Sequence, residues 1–300
     1  MLDITRTTWL LGAFFVISLS GCIRNGGNAD KTIISVEGSD TMVNLAQAWA
    51  EEYNKSHPDV SIQVSGGGSG VGIASLIEGM ADMANASRKM KEKELQRAQA
   101  NTGQRPVEHI VGLDALAVYV HKENPIETIS IEELADIYGE DGGTTTWAQL
   151  GIKNTACASD ELIRISRQNS SGTYYYFREA VLGKARDYKL GSIDQSGSKD
   201  VVALVSATQC AIGYSGMGYR TDDVKWLTVS SKKGEVGVEP SVESAQDGSY
   251  PIARPLHIYS LGEPTAAVKD YLDWISSEEG QQIVFELGYV PVEATSASAE

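Results

Sequence analysis

The sequence predicts an α/β protein built as two α/β domains, and three observations carry that expectation. From Thr32 onward, short apolar strands alternate with amphipathic helices, which is the pattern of a parallel α/β architecture. The chain has 300 residues, long for one core and comfortable for two. Two apolar runs, Ile110 to Val120 and Leu256 to Ser260, read as strands that cross from one domain to the other and back.

In the first domain, Ile33 to Val36 reads as a strand. Met42, Leu45, Ala46, Trp49 and Tyr53 then recur at helical spacing until His57-Pro58 stops the helix. Ser61 to Val64 is a second strand, Ile73, Leu76, Ile77 and Met80 form the next apolar stripe, and Ala81 to Ala86 is a third strand. The second domain offers helices at Ile131 to Tyr138, near Ser171 and at Lys199 to Ala207, with strands at Leu162 to Ser166 and Ala211 to Tyr214. The helix carrying Val268, Tyr271, Leu272 and Ile275 closes the first domain. The expected boundaries are 32–115 plus 255–300 for domain I and 116–254 for domain II.

Ahead of the fold, Arg6 is followed by an apolar run from Trp9 to Leu19 and then by Ser20-Gly21-Cys22. The run is too short to span a bilayer stably and has the proportions of a signal peptide. Small residues before a cysteine resemble the lipobox of bacterial lipoproteins. Residues 1–21 are therefore expected to be a leader, Cys22 a lipidation site, and residues 22–31 a polar tether. The expected location is outside the cytoplasm, anchored by lipid to the cell membrane.

The formal net charge of −15 argues against nucleic acid as a partner. It leaves a small anion open, because an enclosed site answers to its nearest donors rather than to a screened surface. Cys157 and Cys210 could be two separate buried thiols or a bridge. The bridge is favoured because each precedes a strand, and neighbouring parallel strands would bring those starts together.

Three times a strand ends in small hydroxyl and glycine residues and a helix begins at once. These are Gly38-Ser39-Asp40-Thr41, Gly66-Gly67-Gly68-Ser69-Gly70 and Asn169-Ser170-Ser171-Gly172-Thr173. A helix N-terminus carries unpaired N–H groups and partial positive charge, and glycine lets an anion approach the backbone. Each turn alone could be plain helix capping. Two arginines at strand ends, Arg88 and Arg167, can fork N–H groups onto an oxyanion, and the set together reads as a cage for a tetrahedral anion.

These motifs occur in the order Gly38 to Thr41, Gly66 to Gly70, Ala84 to Arg88, Asp114 to Val118 and Arg167 to Thr173, with a closing stretch from Ser277 to Pro291. In this order the chain resembles the phosphate-binding proteins of high-affinity phosphate ABC transporters, the PstS type. The resemblance implies a type II periplasmic-binding-protein fold, two α/β domains joined by a two-strand hinge. It further implies inorganic phosphate as ligand, a membrane permease as partner, no cofactor, no enzymatic activity and a monomer. It carries phosphate-binding roles to Ser69, Arg167, Ser171, Gly172 and Thr173, and to the first loop with Ser39, Asp40 and Thr41. Arg88 stands where the best-known members place an aspartate that accepts the phosphate proton. That role then passes to Asp40 or Asp114, and Asp114 is favoured because a carboxylate inside an apolar run is costly to bury. The alternative for Asp114 is a salt bridge that orients Arg88 or Arg167.

Rival readings are weaker. No lysine followed by serine or threonine completes a phosphate-binding loop after Gly66 to Gly72, and no Gly-x-Ser-x-Gly occurs. His57, His109, His121 and His257 are dispersed, so a metal site has no support. Another tetrahedral oxyanion, such as sulfate or molybdate, and a phosphate sensor remain open alternatives.

Overall fold

The structure is a computed structural model that describes residues 31–293. The expected leader, Cys22 and all but the last residue of the tether lie outside the described residues. The first half of the fold runs β1 (Thr32–Gly38), α1 (Val43–Ser56), β2 (Val60–Ser65), α2 (Ser69–Ile77), β3 (Met83–Ala86) and α3 (Glu92–Thr102). The long β4 (Pro106–His121) leads into β5 (Thr128–Ser130), α4 (Ile131–Tyr138), β6 (Ile163–Arg167), α5 (Gly172–Phe177), β7 (Ile193–Gln195), α6 (Ser198–Ser206) and β8 (Ala211–Gly216). Then follow β9 (Val224–Trp226), β10 (Thr228–Ser230), α7 (Val242–Gln246), β11 (Ala253–Leu261), α8 (Ala266–Ile275) and α9 (Glu278–Glu286).

One sheet in the order β2-β1-β3-β11-β4-β8-β6-β7 organises the molecule, with β9 also on β4 and a small β10-β5 pair apart. The β1, β2 and β3 strands are parallel, as are β6, β7 and β8. Between these two parallel halves, β4 and β11 run antiparallel to each other. The first part of β4, up to Ala115, pairs with β11, and from Leu116 it pairs with β8. A single strand thus hands the chain from one half to the other, and β11 begins where that exchange occurs.

Each half has its own core. Leu45, Trp49 and Tyr53 on one face of α1 are fully buried against Tyr271, Leu272 and Ile275 of α8. Burying side chains of this size contributes roughly 1.5 to 3 kcal/mol each. The Trp49 indole is satisfied by donating to the Gly280 carbonyl at 2.8 Å, as a buried tryptophan requires. The helix stops where expected, with His57 donating its amide to Tyr53 and Pro58 unable to extend the ladder. The other core gathers Tyr119, Trp147, Phe177 and Tyr214, with Phe177 and Tyr214 stacked at 3.8 Å.

Cys157 and Cys210 form a disulfide, with Cα atoms 4.8 Å apart. The reason is the one the strand order supplies: β6 and β8 are parallel neighbours with Ile163 opposite Ala211, so their starts meet. The sequence reading omits α3, β5, β7, β9, β10 and the five-residue α7. The α3 helix buries only Ala98 and so shows no apolar stripe, and the four strands have three residues each, too few for alternation to register.

Candidate functional site

The three expected turns converge. β1 ends at Gly38, β2 leads through Gly66 to Gly68 into α2, and β6 ends at Arg167 before Ser171 caps α5. The α2 and α5 N-termini face each other closely: the Gly70 amide donates to the Ser170 carbonyl at 2.9 Å. A Cβ on Gly172 would land on the Ser69 hydroxyl, and Gly68 combines φ of +97° with a Cβ path blocked by the Ser170 carbonyl. Both positions therefore need glycine.

The hydroxyls form two buried clusters, which Arg254 joins into one ring. Ser39 Oγ donates to Ser87 Oγ at 2.9 Å, and the Ser87 amide donates to Ser69 Oγ at 3.0 Å. Thr41 Oγ1 lies 2.9 Å from Thr173 Oγ1 and 3.4 Å from Ser198 Oγ. Ser39, Thr41 and Ser69 come from the half of the sheet built on β1 to β3, whereas Thr173 and Ser198 come from the half built on β6 to β8. Ser171 Oγ accepts from the Thr173 and Tyr174 amides, so its oxygen caps its own helix and only its proton can be offered outward.

Two guanidinium groups complete the ring. Arg167 is fully buried, and its Nη1 donates to Ser198 Oγ at 2.9 Å while its Nη2 donates to Asp40 Oδ2 at 3.2 Å. Burial pulls the Arg167 guanidinium below its ordinary range, and the Asp40 carboxylate opposes that pull. Asp40 also accepts from the Gly67 amide at 2.9 Å, so one carboxylate ties the first loop to the second and to the far half. Arg254 is the second guanidinium. Its Nη2 donates to Thr173 Oγ1 at 3.0 Å and to Thr41 Oγ1 at 3.3 Å, and its Nη1 donates to the Ser87 carbonyl at 3.1 Å.

Two sequence expectations need correction. Arg88 does not enter the ring: its Nη1 and Nη2 each donate to the Glu94 carboxylate at 2.8 Å. Glu94 holds the first turn of α3 by accepting from the Lys91 amide, so the unforeseen helix is what turns the arginine aside. Asp114 takes the ion-pair alternative, with a partner the sequence reading did not name. Its Oδ2 accepts from Arg254 Nε at 3.1 Å and Nη2 at 2.8 Å, and its Oδ1 accepts from the Met217 amide at 3.3 Å. Burial pushes the Asp114 carboxyl above the usual range, and Arg254 opposes this most strongly. A carboxylate turned to an arginine in this way is placed to orient the guanidinium.

The sequence reading therefore missed Arg254, together with Ser87 and Ser198. A signal existed for Arg254: a lone arginine at the start of the second crossing strand, matching the lone aspartate in the first. Two tyrosines were also missed. The Tyr219 and Tyr289 hydroxyls donate to the Thr41 carbonyl at 3.1 and 2.6 Å, and Tyr219 also donates to the Asp40 carbonyl at 2.7 Å. Burial pushes the Tyr219 hydroxyl up to about 12, which keeps it a donor that fixes the first loop.

Such a ring of hydroxyl, amide and guanidinium donors suits an anion, because every group can donate to it and the positive helix ends favour it. No group of three metal-ligating side chains is found among the described residues. Donors converging from two parallel α/β halves, joined by two antiparallel strands, define a protein of the clasping, solute-binding class. The chain belongs to the PstS-type phosphate-binding proteins, within the family described as PBP superfamily domain, which matches residues 25–279.

The phosphate-binding protein PstS of Pseudomonas aeruginosa is 37% identical over 274 residues, covering 88% of this chain and 84% of that one. The PstS of Bacillus subtilis is 33% identical, covering 86% and 80%. A substrate-binding protein from Clostridium perfringens, assigned to phosphate ABC transport and solved with bound phosphate, superposes with a TM-score of 0.78. It is 31% identical and covers 87% of this chain and 100% of that one.

Proposed function

We propose that this chain captures inorganic phosphate in the ring between its two halves and delivers it to the membrane permease of an ABC transporter, with no chemical turnover. The observation that carries this reading is the set of buried donors, Ser39, Thr41, Ser69, Thr173, Gly172, Arg167 and Arg254, drawn from both halves of the sheet. A tetrahedral anion can be surrounded by such donors, and the names of the relatives supply its identity. Because the donors belong to two bodies, the ring exists only when the two are together, as they are here, and the ligand enters and leaves when they part. We assign 32–115 plus 255–300 to one body and 116–254 to the other, a division supported by the separate cores except at Ala115 and Val290, which pack into the second.

The likeness to a substrate-binding protein of phosphate ABC transport supports a place outside the cytoplasm for this chain, and Leu19-Ser20-Gly21-Cys22 supports a lipid anchor at Cys22. Among the described residues no helix is long and apolar enough to cross a membrane. We assign a monomer.

Equilibrium dialysis against labelled phosphate, with sulfate and molybdate as competitors, tests the ligand. Phosphate should be retained in a 1:1 ratio and recovered unchanged. Displacement by equal sulfate or molybdate would reassign the ring to another oxyanion.

A further inference from the structure

Beside the ring lies a cavity of about 590 Å³ to which nothing above gives a role. It shares Arg254 with the ring, and its walls come from the loop after β3, from α5 and the turn that follows it, and from the start of β11. In a chain of net charge −15, six cations line it: Arg88, Lys89, Lys91, Arg178, Lys184 and Arg254. Carboxylates match four of these, with Glu94 on Arg88, Asp187 on Arg178, Glu179 on Lys184 and Asp114 on Arg254. Lys89 and Lys91 form no ion pair among the described residues.

Two further observations point to an anion. Arg88 is only 8% exposed, yet its Nε has no hydrogen-bond acceptor, and buried donors are rarely left so. Lys91 Nζ sits 3.4 Å from the centroid of the Tyr175 ring, and the Arg88 guanidinium sits 5.3 Å from the same centroid. One aromatic ring thus holds two like charges together. Tyr176 and Pro255 supply apolar wall in the same cavity. The volume is far greater than one small oxyanion needs, and apolar walls with a few converging polar groups suit a ligand with an organic body.

We propose that this cavity binds a phosphate monoester. Its phosphoryl dianion is held by Arg88 Nε, Lys89 and Lys91, and its organic body lies against Tyr176 and Pro255, while inorganic phosphate occupies the ring. The simultaneous occupation rests on the function proposed above; the cavity's own chemistry does not.

Calorimetry on the full-length chain tests this with phenyl phosphate as probe. Inorganic phosphate is titrated first, by itself, and phenyl phosphate is then titrated at saturating inorganic phosphate. One further equivalent should bind. The double variant Lys89→Glu/Lys91→Glu should weaken it tenfold or more while leaving inorganic phosphate within twofold of the parent. A milder pair, Lys89→Gln/Lys91→Gln, with an unchanged unfolding temperature, serves if the charge reversal fails to fold. Phenyl phosphate that displaces inorganic phosphate mole for mole, that gives no heat, or that binds the variants as it binds the parent would overturn the proposal. Pyrophosphate binding as tightly as phenyl phosphate would overturn the organic part of it. A failed first titration with inorganic phosphate would count against the ring's function alone, since phenyl phosphate would still be tested on the parent and the lysine variants.

Discussion

Arg254 stands directly opposite Asp114 in the register of β11 and β4, and the two form a fully buried ion pair at 2.8 Å. The pair sits where the chain passes between the two halves, and the same guanidinium reaches hydroxyls from both, Thr41 and Thr173. Strand register thereby fixes a charge of the proposed ligand ring. Replacing Asp114 with alanine should cost about 3 to 5 kcal/mol of stability, because it strands a buried guanidinium. In Asp114→Asn, phosphate and sulfate affinities should fall together and their ratio stay within about threefold. A fall of tenfold or more in that ratio, about 1.4 kcal/mol, would return the proton-reading role to Asp114.

Arg167 should be the most costly ligand-facing charge to remove. It is wholly buried and its counterion, Asp40, comes from the opposite half. Arg167→Ala should weaken phosphate binding by about 2 to 5 kcal/mol, the range for a desolvated, hydrogen-bonded charge. Titration calorimetry gives the answer, and an affinity within twofold of the parent would remove Arg167 from the site. Arg88→Gln, by contrast, should leave phosphate affinity nearly unchanged, since its guanidinium is committed to Glu94.

The Cys157–Cys210 bridge spans 53 residues of sequence. Constraining a loop of that length in the unfolded chain is worth about 4 kcal/mol in the chain-entropy account. A Cys157→Ser/Cys210→Ser variant should lose stability of that order in denaturant unfolding while binding phosphate within twofold, because the bridge lies at the starts of β6 and β8 and the ligand ring at their ends. Unaltered stability would mean that the bridge constrains little.

His257 is buried on β11, with Glu108, Lys89 and Arg254 as its charged neighbours, and burial lowers it to about 4. A histidine held neutral in the fold but free to charge near pH 6.5 when unfolded stabilises above 6.5. That stability is lost as the pH falls toward 4. Between pH 6.5 and 5 the loss from this one group should be about 2 kcal/mol. Urea unfolding of the parent and of His257→Gln at both pH values checks it: the variant should lose less over this interval, and equal losses would contradict the shift.

Much of this was legible in the sequence. The alternation that placed β1, β2, β3, β6 and β8 comes from half-buried strands and one-sided helices, which leave a periodic trace. The three turns were visible because glycine and hydroxyl residues at strand ends are a local signal. Arg88 misled because its partner Glu94 lies on α3, a helix too polar to show a stripe. Arg254 escaped because its meaning is non-local: it depends on the register of two strands whose paired residues lie 140 positions apart, and no local window of sequence contains both.

A crystal structure of the chain grown with phosphate tests the central claim most directly. The account predicts one phosphate enclosed between the halves, within hydrogen-bond distance of Ser69, Thr173 and Arg167, with Arg254 still paired to Asp114 and Arg88 still paired to Glu94. Phosphate bound to Arg88 instead, with the ring of Ser39, Thr41, Ser69 and Thr173 making no contact to it, would contradict the account.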